Sequence, residues 1–192
     1  HVDSSAASDV YKRQDSDKAN ELATEVLENY SIDTNQRILD LMCKKIGLDG
    51  SKKNNQEILR NLLKLMMDNE SDFTITFRSL SDILLNNSDN FLAQFHQKNE
   101  VSGWINNWKS ALNLENKNVG EIISNLNNTN PMYIPRNHQV QKAIEESYLG
   151  NLKVLEEMLE VLKNPFQENV SLSHYSEAPS EQQRVTQTFC GT

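Results

Sequence analysis

Residues 130–165, NPMYIPRNHQVQKAIEESYLGNLKVLEEMLEVLKNP, read as two helices joined at a glycine and bounded by proline on both sides. Val140, Ile144 and Tyr148 recur every four residues. Leu152, Leu155, Leu159 and Leu162 recur every three or four. Both spacings gather side chains on one face of an α-helix, and the leucines are expected to point inward. Gly150 ends the first helix by accepting a left-handed backbone, and Asn151 suits the cap of the second. Asn164-Pro165 stops the second helix, because proline has no amide hydrogen and restricts the residue before it. Upstream, Pro131 and Pro135 fix a rigid entry into the Val140 helix. There Arg136 and Asn137 are placed to cap or clamp neighbouring backbone, which favours a structural corner over a ligand site.

The same helical period extends toward the N-terminus. Leu22, Val26 and Tyr30, then Ile38, Leu41, Met42 and Ile46, make a stripe from Asp17 to Gly47. Lys44 and Lys45 suit the carbonyl end of that helix, and Gly47 its cap. Asp49 to Asn55 is a polar loop. Ile58, Leu62, Leu65 and Met66 predict the next helix. Asp72 or Ser71 caps a short one carrying Phe73, Phe77 and Leu80. Asn86 to Asn90 favours a turn, and Phe91, Leu92 and Phe95 follow it. Ser102 is the expected N-cap of a helix with Trp104, Trp108 and Leu112 on one face. Ile122, Ile123 and Leu126 mark another, ended between Asn127 and Pro131. After Pro165 the period is lost. The fold class is therefore all-α, an irregular bundle of seven or eight helices over residues 15–165, with an extended C-terminal tail over 166–192. Residues 1–14, HVDSSAASDVYKRQ, show no sustained period. They resemble a translated adapter, a non-native leader left by sequence assembly, which implies that the natural protein extends further toward its N-terminus.

Composition narrows the function classes. The 192 residues hold 19 Lys and Arg against 27 Asp and Glu, a formal net charge of −8. Such a balance argues against nucleic-acid binding, which needs a basic footprint. No apolar run approaches the roughly 20 residues of a membrane helix, so no membrane partner is expected. Two cysteines give neither a disulfide scaffold nor a cysteine-based zinc module. Cys43 lies among Leu41, Met42 and Ile46 and reads as a buried, inert thiol. Cys190 sits near the end of a polar stretch, where an accessible thiol undergoes exchange; it is the candidate redox residue. His1, His96, His138 and His174 form no ligand spacing. Glu156, Glu157 and Glu160 read as a solvated helix face. Trp104 and Trp108 read as core. No glycine-rich phosphate loop is present. The residues alone supply no catalytic or metal site.

Several blocks nevertheless carry a resemblance. Residues 130–166, ending in NPF, then HYSEAP at 174–179 and TFCGT at 188–192, resemble the C-terminal part of the selenoprotein O (SelO) family of protein adenylyltransferases. DFTITFRSLS at 72–81 is similar to that family's D-[YF]-T-x-T-F-R-x-L-S stretch. SGWINNW at 102–108 resembles the segment ahead of its NP-x-Y-x-x-RN motif. The blocks agree in order and spacing from about Glu21 to Thr192.

The resemblance implies the C-lobe remainder of a protein-kinase-like, pseudokinase fold. It implies a parent enzyme that binds ATP and Mg²⁺ and transfers AMP to hydroxyl side chains of protein substrates. The family's phosphate-clamping, metal-binding and catalytic residues lie in an N-terminal kinase-like half upstream of this chain. None is carried onto a residue here, so the fragment alone is expected to be inactive and to partner that missing half. Cys190 occupies the place of the family's near-terminal Cys or selenocysteine, linked to redox control. Its expected disulfide partner is also upstream, so Cys43 is not that partner. A bacterial cytoplasmic location is the default expectation. The alternative is a free-standing helical interaction module without catalysis.

Overall fold

Helices account for the architecture because apolar residues recur at three and four positions almost everywhere between the polar turns. The computed structural model describes the backbone of residues 4–184 and the side chains from Ser16 onward. Among the described residues there are α-helices and 3₁₀ turns and no strand, so the all-α class holds. The α-helices run in chain order as α1 (Ser4–Lys45), α2 (Lys53–Asp68), α3 (Phe73–Arg78), α4 (Leu80–Leu84) and α5 (Asp89–Leu92). They continue as α6 (Lys98–Leu112), α7 (Val119–Thr129), α8 (Asn137–Tyr148) and α9 (Lys153–Lys163).

The chain divides into two compact units, His1–Leu41 and Met42–Thr192. The first holds α1 as far as Leu41, and the last turn of α1, with Lys45, belongs to the second. The helix begins at Ser4, so the backbone shows no break at Gln14 where the leader was expected to part from the helix. No proline or glycine interrupts residues 4–45, and nothing in the backbone chemistry forces a stop there. The apolar stripe predicted from Asp17 to Gly47 divides: Leu22, Val26, Tyr30, Ile38 and Leu41 are all more than half exposed, whereas Met42 is half-buried and Ile46 fully buried.

The second unit holds two buried clusters. Trp104 and Trp108 stack at 5.6 Å between ring centroids, with Phe91 5.8 Å from Trp104. Each indole N–H finds a carbonyl: Trp104 donates to Ile58 at 2.9 Å and Trp108 to Ile46 at 2.7 Å. Two polar donors are thereby satisfied inside an apolar layer. Ile58, Leu59, Leu62, Phe77, Leu80, Leu112 and Leu126 are buried in the same unit. Tyr133, Ala143, Met158, Val161 and Tyr175 form the other cluster, with Val140, Val154, Leu155, Leu162 and Leu172 packed against it.

Three local expectations change. Ser102 is not a cap: α6 starts at Lys98, and the Ser102 hydroxyl donates to the Lys98 carbonyl at 2.8 Å, four residues back. On α9 the buried residues are Met158 and Val161, while Leu152 and Leu159 are about half exposed. The inward face is rotated from the leucine stripe because the second cluster is met by Val154, Leu155, Met158 and Val161. Asn151 does accept the Lys153 N–H at 3.2 Å, one position ahead of the cap residue Leu152. Finally, the tail is more than an extended strap. It forms 3₁₀ turns at Val170–Ser176 and Glu181–Gln183, and its Tyr175 is 3% exposed. Tyr175 packs into the second cluster and donates its hydroxyl toward the Val154 carbonyl and Glu157, at 3.2 and 3.1 Å.

Candidate functional site

The polar corner at 130–137 contributes two buried polar side chains that reach across the fold. Asn130 is 1% exposed and Arg136 6%. Asp72, the N-cap of α3, accepts the Ile75 N–H at 2.8 Å. Its two oxygens also receive both terminal nitrogens of Arg136, at 2.7 and 3.1 Å. A paired fork of this kind fixes direction as well as distance. Burial pushes the Asp72 carboxyl up, but the Arg136 hydrogen bond, the Ile75 N–H and the Arg136 charge outweigh it and hold the group below the usual carboxylate range.

Asn130 works on the opposite side of the corner. Its amide donates to the Lys45 carbonyl at 2.8 Å, and its oxygen receives the Lys45 ammonium at 3.3 Å. Burial pulls the Lys45 pKa down, and the ammonium lies 5.8 and 5.6 Å from the Phe73 and Phe77 ring centres. Arg78 donates one nitrogen to the carbonyls of both Asn127 and Asn130, at 2.9 and 3.0 Å. These carbonyls belong to the C-terminal end of α7, where a cation is favourable. The tail is held in turn: the Met132 and Tyr133 amides donate to the Pro165 carbonyl, and the Tyr133 hydroxyl bridges both backbone groups of Asn169.

The corner is therefore a junction joining the end of α1, α3, α7, α8 and the tail. Backbone clamping occurs there, but Arg78 and Asn130 perform it; Arg136 grips a carboxylate instead. Sequence reading found Asp72 as a cap and missed its second role. It also missed Lys45 and Arg78 as corner residues. The DFTITFR block held the signal, since it carries a cap, two aromatics and an arginine on one short helix.

A cavity of about 530 Å³ opens beside the junction, bordered by Arg78, Asp82, Asn90, Asn127, Glu168 and Glu177. Burial raises the Asp82 carboxyl, opposed by its hydrogen bond with Asn90 and the charge of Arg78. Burial lowers the Arg78 guanidinium, opposed by the charges of Asp82 and Glu168. Among the described residues no group of three or more His, Cys, Asp or Glu is placed to hold a metal ion. The cavity's one arginine is already engaged by two carbonyls. This donor set does not fit Mg²⁺ with ATP.

The other sequence candidates are dispersed. Cys43 is buried, with 0% exposure. Glu156 and Glu160 are solvated, while Glu157 receives Tyr175 and pairs with Lys153 at 3.7 Å. His138 is half-buried, and burial and Arg136 lower its pKa. Cys190 lies outside the described residues. Among the described residues no helix is long and apolar enough to cross a membrane.

Comparison with known proteins adds a separate line. The family described as "Protein adenylyltransferase SelO" matches residues 17–163. The chain is similar to a protein from Rhizobium johnstonii called protein nucleotidyltransferase YdiU, with 33% identity over 179 residues. That alignment covers 92% of this chain and 36% of the relative. Proteins of the same name from Bacillus mycoides and Maridesulfovibrio salexigens are 30% and 28% identical over 180 residues. Each of those alignments covers 93% of this chain and 36% of the relative. The chain thus spans little more than a third of the length of the curated relatives it matches.

Proposed function

The chain belongs to the SelO family of protein adenylyltransferases, and from that membership we propose that it is the C-terminal helical portion of such an enzyme. The parent transfers AMP from ATP to hydroxyl side chains of protein substrates. This portion supplies scaffold and leaves the chemistry to a kinase-like half that precedes it. The match over residues 17–163 carries the proposal. Two observations support the division of labour. The chain spans 36% of that relative's length, and the charged groups of the buried junction are engaged within it: Arg136 by Asp72, Arg78 by two carbonyls, Lys45 by Asn130.

ATP and Mg²⁺ are held, in this proposal, by residues of the preceding half. There the cation neutralises charge on the phosphates as AMP is transferred. Cys190 is a redox-responsive thiol whose partner lies in that half as well. The bacterial cytoplasm is the proposed location.

The test uses ATP labelled at the α-phosphate, Mg²⁺ and a mixture of acceptor proteins. The 192-residue chain alone is expected to transfer no label, and the chain joined to its preceding coding sequence is expected to transfer it. Transfer by the isolated chain would contradict the division of labour. An inactive joined protein would contradict the enzymatic assignment.

A further inference from the structure

Helix α1 carries two apolar faces. Leu39, Met42, Cys43 and Ile46 stand three and four residues apart and share one of them. Burial deepens along it, from half-buried Leu39 and Met42 to Cys43 and Ile46 at 0% exposure. Leu22, Val26, Tyr30, Ile38 and Leu41 make the other, and each is 53–70% exposed. This open face runs roughly 29 Å at 1.5 Å per residue. Its C-terminal half has polar neighbours: Asp33, Arg37 and Asp40 fall beside the stripe, and Asp40 accepts the Gln36 amide at 2.9 Å. Glu21, Glu25 and Glu28 fall on the far side of the helix.

The pattern narrows what covers this face. Seven residues on from Leu22, Val26 and Tyr30 stand Asn29, Asp33 and Arg37. A second copy wound along the helix needs apolar residues at those positions, so the face makes no coiled-coil seam. Residues 17–41 carry six acids (Asp17, Glu21, Glu25, Glu28, Asp33 and Asp40) against two bases, Lys18 and Arg37. A lipid surface takes the opposite balance. An apolar protein surface without a helical repeat fits both observations. The family match shows where such a surface is to be found. It begins at residue 17, ahead of Leu22, so the open face is family sequence. Relatives of this chain are longer: its alignment covers 36% of the one from Rhizobium johnstonii. On the reading proposed above, the remainder lies ahead of α1. A surface tethered there meets α1 at high effective concentration.

Resting on that reading, we propose that the open face of α1 is the seat of the parent enzyme's preceding half. That half covers Leu22, Val26, Tyr30, Ile38 and Leu41 with an apolar surface of its own. α1 is then the element that the two halves share, with Cys43 and Ile46 buried in this chain and the open face buried in the other half.

The test uses the chain joined to its preceding coding sequence, with a photo-crosslinking benzoylphenylalanine placed at Tyr30 or, on the far side, at Glu28. Peptide mapping after irradiation is expected to link position 30 to the preceding half and position 28 to none of it. Leu22→Glu with Val26→Glu should lower the melting temperature of the joined protein by about 4 °C or more and leave that of the 192-residue chain unchanged. Glu21→Gln with Glu28→Gln should change neither. A Tyr30 crosslink that joins two copies, reaches an unrelated protein or stays within this chain would overturn the proposal. So would a joined protein whose melting temperature ignores the Leu22 and Val26 changes. Adenylyl transfer is scored separately. A crosslink to the preceding half in an inactive joined protein sinks the enzymatic assignment and supports the seat, while transfer without the crosslink does the reverse. An upstream sequence that encodes no preceding half overturns both.

Discussion

Asp72 caps one helix and anchors the entry to another, so its carboxylate is the residue on which the corner turns. Asp72→Ala removes the cap and leaves the nearly buried Arg136 without its counter-charge. Breaking a buried pair from one side costs about 3–5 kcal/mol, and the expected loss in urea unfolding at pH 7 lies in that range. Asp72→Asn keeps a good cap and should lose less. The pH dependence follows from the sign of the shift. The folded carboxyl titrates below the unfolded one, so its stabilisation is complete above the unfolded value of about 3.9. It is lost as pH falls through the lower folded value. The wild type should therefore shed more stability than Asp72→Asn when acidified below about pH 4, a difference that melts across that window will read. The cap was legible because it is written within one turn, from Asp72 to Ile75. The ion pair was not, because 64 residues separate its partners and no local spacing announces a contact made across the fold.

At the scale of elements, the helix ends were the most legible features. Gly47 has φ +71 and Gly150 φ +83, both in the left-handed region that glycine enters freely. At Gly47 the two closing bonds run from the Gly47 amide to Lys44 and from the Leu48 amide to Cys43, at 2.9 and 3.0 Å. The two glycines differ in surroundings. A Cβ on residue 47 would stand 3.3 Å from a Leu112 methyl and 3.4 Å from one of Leu126, whereas nothing lies within 4 Å at residue 150. Gly150→Ala is expected to cost about 1 kcal/mol from backbone conformation alone. Gly47→Ala should cost more, since Leu112 and Leu126 are fully packed; paired thermal melts will rank them. Where reading by element failed, a side chain had two roles to choose between. A serine ahead of an apolar run signals a cap, but Ser102 bonds backward within a helix already begun at Lys98. The leucines of α9 share a stripe, yet the cluster they meet recruits Met158 and Val161.

Over the whole molecule, periodicity told which side chains belong together but not what covers them. The tryptophan stripe of α6 is buried, with both indoles satisfied. The stripe of α1 is less regular and stands open to solvent as far as Leu41. A periodic face records a helix and a future contact; burial depends on the partner presented to it. The isolated chain should accordingly bind a hydrophobic dye, and Leu22→Glu with Val26→Glu should reduce that signal without lowering the melting temperature. Equal dye binding by the variant would show that the open surface lies elsewhere. The junction's chemistry was hidden for the same reason as its ion pair: the sequence lists donors and acceptors without saying which are spent on each other. The family resemblance, by contrast, rests on ordered blocks and needs no contact map. The most direct measurement is the coding sequence upstream of this chain in its source DNA. Membership as the C-terminal portion of an adenylyltransferase predicts a frame that continues for several hundred codons and encodes a kinase-like Lys, Asn and Asp set. A start codon and ribosome-binding site just ahead of Asp17 would contradict it and leave a free-standing helical module.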